Sequence, residues 1–124
     1  MAEGLHIVVA EPPADVADDE FNRWYDAHLD EILSVPGFAA ARRYRLEPVV
    51  APGTLPHRFI CVYETDTDPR DAVAELERAG MGDKGSYADL KDRDTGVLPM
   101  PPWFERVGFA SWNCLALGER RRAR

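Results

Sequence analysis

The chain has 124 residues, 45% hydrophobic and 30% charged, which suits a single globular domain with room for one core. Its formal charge is −7, and residues 119–124 hold four of the 15 basic residues and one of the 22 acidic ones, so the body carries 11 basic and 21 acidic residues, a net −10. Such a body repels phosphate backbones and argues against nucleic acid, and no apolar run approaches the roughly 20 residues of a membrane span.

No basic segment followed by an apolar one opens the sequence, so a cytoplasmic protein with no membrane partner is expected. One domain over 1–118 and an Arg-rich disordered tail over 119–124 are expected. Cys61 and Cys114 show neither a C-x-x-C pattern nor zinc-site spacing, and both are expected to be reduced core thiols.

Residues 5–10 are short and β-branched, a buried strand that ends before Pro12 and Pro13. Asp18, Asp19 and Glu20 offer an N-cap and acidic first-turn charge for a helix running to about Ser34. Phe21, Trp24, Tyr25, His28, Leu29, Ile32 and Leu33 form its apolar stripe, and Pro36 and Gly37 stop it. Residues 38–47 read as a second strand, with Phe38, Ala40, Tyr44 and Leu46 on one face and Ala39, Ala41, Arg43 and Arg45 on the other; Arg42 is the misfit on the apolar side. A Pro-rich loop over 48–56 precedes a third strand over 57–65, in which Phe59, Cys61 and Tyr63 alternate against Ile60 and Val62.

Asp68 and Pro69 open a shorter helix that Gly80 ends. Residues 81–102 are irregular, Gly-rich at the start and Pro-rich at the exit. Residues 80–102 are a candidate lid, with Tyr87 or Trp103 contacting a ligand, and an ordered surface crossing is the equal alternative. Residues 103–117 read as a last strand, bent near Gly108. The order β-α-β-β-α-β defines an α+β, ferredoxin-like domain with a four-stranded antiparallel sheet and both helices on one face. The other face is also apolar and must be covered, so a homodimer is expected.

The helix stripe sets an imidazole and a phenol one turn apart on the same interior surface. His28 is the candidate general base and Tyr25 the candidate donor to an oxyanion. The competing reading is a core histidine held by a backbone carbonyl. Trp24 flanks the histidine, and His6 on the first strand is a second polar group for the same pocket. Arg42 or Arg43 could bind a carboxylate or phenolate oxygen, or form a rim salt bridge. Tyr44 and Phe59 complete the candidate pocket wall. His6, His28 and His57 have no metal-site spacing, and no metal is expected.

Residues 20–28, Glu-Phe-Asn-Arg-Trp-Tyr-Asp-Ala-His, followed by Val35-Pro36-Gly37-Phe38 and Arg42-Arg43-Tyr44, resemble the dimeric α+β barrel superfamily, and within it the EthD-like group. The detailed resemblance covers about residues 18–46. It implies a pocket between sheet and helices for small hydrophobic carbonyl or phenolic compounds, with no cofactor, and it maps the first-helix histidine of the family onto His28. Reactions in the superfamily include polyketide cyclisation, lactone isomerisation, cofactor-free quinol-type monooxygenation and haem degradation. A cofactor-independent lyase, isomerase or cyclase using His28 is the leading expectation; a monooxygenase or a non-catalytic ligand-binding protein is the alternative.

Overall fold

A computed structural model describes residues 4–50, 57–81 and 101–124. Tyr87 and most of the candidate lid lie outside the described residues, as does the Pro-rich stretch 51–56. The element order is β1 (Gly4–Glu11), α1 (Asp18–Leu33), β2 (Phe38–Arg45), β3 (Phe59–Thr65), α2 (Pro69–Arg78), a 3-10 turn (Phe104–Arg106) and β4 (Gly108–Leu115). The four strands form one antiparallel sheet in the order β2-β3-β1-β4, the ferredoxin-like arrangement.

Alternation along the strands divides the sheet into two faces. His6 and Ala10 of β1 and Phe59, Cys61, Tyr63 and Thr65 of β3 point under the helices and are buried. Phe21, Tyr25, His28 and Ile32 of α1 and Ala72 and Leu76 of α2 close that layer from above. The opposite face presents Leu5, Ile7 and Val9 beside Ile60 and Val62, all only partly buried, with Trp112 55% exposed at its edge.

The helix ends follow local chemistry. Asp68 caps α2, its carboxylate accepting from the Arg70 backbone N–H at 2.9 Å, and Pro69 occupies the first turn, where no N–H is needed. The start of α1 departs from expectation. Its N-cap is Ala17, with no side-chain bond, and Asp18, Asp19 and Glu20 sit within the first turn, where they favour the helix dipole instead. Gly37, directly before β2, has φ +99°, a conformation an L side chain rarely adopts, and a Cβ there would meet Thr67 and Ala72 at 2.9–3.0 Å.

Strand β2 corrects the sequence reading. Phe38 pairs with Thr65 and Ala40 with Glu64, so Ala39 is an extra residue in a β-bulge. The bulge exchanges the faces: Ala41, Arg43 and Arg45 join Phe38 on the helix side, while Ala40, Arg42 and Tyr44 turn to the outer face. A second correction concerns residues 103–107. They are not strand but a buried turn, with Trp103, Phe104 and Val107 each 6% exposed or less. Their i, i+1, i+4 spacing suits one helical turn docking on the core rather than alternation along a strand.

Candidate functional site

The site is built on α1. Residues 24, 28 and 31 fall on one stripe of the helix, a turn apart, beside the stripe that packs on the sheet. The Trp24 indole lies flat against the His28 imidazole, centroids 5.0 Å apart and planes within 8°. Trp103 and Phe104 meet Trp24 edge-on at 5.6 and 5.3 Å, so the buried turn before β4 walls this stack. Glu31 Oε1 lies 3.6 Å from His28 Nδ1, and both side chains are largely buried. Two polar atoms of this stripe, Trp24 Nε1 and Glu31 Oε2, are buried with no hydrogen-bond partner among the described residues. Buried orphans of this kind are rare, because each forfeits its bond to water.

Tyr25 stands at the junction of helix and sheet. Its ring meets the His28 ring edge-on at 5.6 Å, while its hydroxyl reaches the Tyr63 hydroxyl at 3.4 Å. Burial pushes both phenols far above their ordinary range, so each stays protonated. Burial likewise lifts the Cys61 thiol to about 11, which leaves it an inert core group. Tyr63 continues the line to His6, ring centroids 6.1 Å apart. His6 Nδ1 bonds Asn113 Oδ1 at 2.9 Å; burial lowers its pKa below the ordinary value, against the raising effect of that bond. The imidazole is therefore neutral at physiological pH.

The structure thus brings His28, Tyr25, Trp24, His6 and Trp103 into one layer. Phe59 is in that layer too, but beneath Phe21 at 5.8 Å rather than against His28. Arg42 and Tyr44 are not brought to the site; they stand on the outer face, where the Arg42 guanidinium lies 5.7 Å from the Tyr44 ring centre. Arg43 takes the inner position. Its guanidinium lies 4.4 Å from the Tyr25 ring centre and donates to the Asn22 carbonyl and side chain and to Asp26. These bonds tie β2 to α1 and commit Arg43 to support rather than to a ligand.

Sequence reasoning missed Glu31, Tyr63 and Asn113. Glu31 is legible as the i+3 neighbour of His28, and Tyr63 as the residue continuing the Phe59–Cys61 alternation. Asn113 needed the β1–β4 register, which no local pattern supplies. Among the described residues, no group of three or more His, Cys, Asp or Glu side chains could hold a metal ion. A cleft of about 260 Å³ lies elsewhere, at the start of α2, lined by Asp68, Pro69, Arg70, Leu115 and Ala116. No helix among the described residues is long and apolar enough to cross a membrane.

No protein-family model and no curated protein matches the chain. Among solved structures it is similar to a dimeric ferredoxin-like protein of unknown function from Thermobifida fusca, at 12% identity and TM-score 0.47 over 87% of both chains. It is similar to a candidate monooxygenase from Shewanella loihica, at 15% identity and TM-score 0.46 over 98% of this chain and 99% of that one. An EthD-family protein from Bacillus halodurans is similar at 13% identity and TM-score 0.46, over 95% and 99% of the two chains.

Proposed function

We propose that the chain is a homodimeric, cofactor-independent enzyme that moves protons on small hydrophobic carbonyl or aromatic compounds. The observation that carries the reading is the α1 stripe: an indole N–H and a carboxylate oxygen, both buried and without partners among the described residues, on either side of a buried imidazole. A ligand that presents an acceptor to Trp24 and a donor to Glu31 satisfies both atoms and lies across His28. Hydroxylated ketones and the enol forms of diketones have that pattern. His28 acts as general base at a carbon next to a carbonyl, and the protonated Tyr25–Tyr63 pair supplies a hydroxyl donor to the developing oxyanion. Cyclisation, isomerisation and elimination all begin with that step.

Deuterium uptake from D₂O into carbon tests the reading across all three outcomes. The wild-type chain is incubated with a panel of β-diketones, enol lactones and hydroxyaryl ketones, and products are read by mass spectrometry. At least one panel member is expected to gain deuterium or convert, and His28→Ala is expected to slow this by about 10²–10⁴-fold with unchanged circular dichroism. Binding without uptake would mark a ligand carrier, and strict dependence on O₂ a monooxygenase. An undiminished rate in His28→Ala would remove the histidine from the chemistry.

A further inference from the structure

We infer that Asn113 is a positioning residue that holds His6 in its Nδ1–H tautomer, leaving the Nε2 lone pair as a second proton acceptor on the sheet side of the site. The inference rests on the proton-transfer reading above and deepens it by adding an acceptor from a different element. His6 is placed in the sheet by register: Tyr63 of β3 is opposite it on one side and Asn113 of β4 on the other. The side chains of His6 and Asn113 meet at 2.9 Å through Nδ1 and Oδ1. An amide oxygen only accepts, so the proton in that contact resides on Nδ1. A neutral imidazole has one ring proton, and Nε2 is then bare.

Three features turn a bare nitrogen into a usable one. Burial favours the neutral ring. The bond to Asn113 uses Nδ1 and leaves Nε2 out of it. On this face of the edge strand β4, Asn113 opposite His6 and Ser111 opposite Val8 are both exposed, while His6 itself keeps 7% of its surface accessible. In the step this permits, Nε2 takes the proton from a carbon next to a carbonyl, and the C–H electron pair moves into the enolate. The imidazolium then returns the proton to oxygen or to the far carbon of the conjugated system. Nothing is oxidised or reduced, and Asn113 keeps its bond to Nδ1 throughout.

Long-range ¹⁵N–¹H correlation spectra of the uniformly labelled full chain, at about pH 8, report the ring tautomer with no substrate present. Wild-type His6 is expected with Nδ1 protonated and Nε2 bare. Asn113→Ala is expected to shift most of the population to the Nε2–H form, and Asn113→Asp, whose carboxylate still accepts, to restore Nδ1–H. A merely structural Asn113 would leave the tautomer unmoved by either change. Wild-type His6 protonated on Nε2, or a tautomer indifferent to Asn113→Ala, overturns the inference. Asn113 is exposed on an edge strand, so circular dichroism is expected to match wild type in both variants. The spectra need no turnover, so this inference and the His28 reading can fail separately.

Discussion

His6 makes the folded state sensitive to acid. Its folded pKa lies below the ordinary value of 6.5 because burial disfavours the charged ring. The unfolded chain therefore binds a proton more readily. This group has no effect on stability well above pH ~6.5, and it destabilises progressively as pH falls through the unfolded pKa towards the folded one. Urea unfolding of wild type is expected to show a loss between about pH 7 and about pH 5 that is shallower in His6→Gln. Equal slopes would mean that the buried ring is protonated at no cost. Arg43 is the other residue whose role is fixed by its surroundings. Its side chain is 12% exposed and donates to a backbone carbonyl, an amide and a carboxylate, so Arg43→Met is expected to cost about 2–3 kcal/mol in the same assay. A loss within error of zero would reduce those bonds to surface decoration.

At the scale of elements, α1 has room for improvement at its start. Ala17 has the extended backbone of an N-cap but no side chain to offer the first-turn N–H groups. Ala17→Ser is expected to stabilise the protein by about 1 kcal/mol, seen as a higher thermal midpoint; an unchanged midpoint would show those N–H groups already solvated at no penalty. Elements with a strong period were legible in the sequence. The α1 stripe from Phe21 to Ile32, its stop at Pro36 and Gly37, and the Asp68–Pro69 start of α2 are all local signals, and the structure keeps them, though Leu33 at the end of the expected stripe is 37% exposed. The faces of β2 were not legible. A period of two is blind to an inserted residue, and the three identical small side chains of Ala39, Ala40 and Ala41 hide where the insertion falls. The turn at Trp103 escapes sequence reading because a Trp-Phe pair after two prolines fits a strand start as well as a docked turn. The site followed the same division: Trp24, Tyr25 and His28 came from one helix, while Tyr63 and Asn113 came from pairings distant in sequence.

For the whole molecule, the outer sheet face is the feature that demands a partner. Leu5, Ile7, Val9, Ile60 and Val62 form a contiguous apolar surface, and Trp112 stands 55% exposed beside Ile7. Packing that face on a second copy is the proposed cover, and it would leave the helix-side site of each protomer open to ligand. Sedimentation is expected to show a dimer for wild type and a monomer for Trp112→Asp, because a carboxylate at the seam would lose its water. A wild-type monomer at high concentration would leave the face without this partner. The four arginines of residues 120–124 are exposed and continue past β4, so they add charge without adding to the core.

The bulge at Ala39 also bears on how such a chain can change over time. Deleting that one small residue would be silent, because Ala40 would then follow Phe38 with its side chain still outward and every later side chain would keep its face. A slip that kept Ala39 and drew it into the ladder would instead act as a frameshift acts on a codon series, carrying Arg42 and Tyr44 beneath α1 and Arg43 to the outer face. With no substitution at all, such a slip would trade the lining of the binding layer for the glue of the assembly.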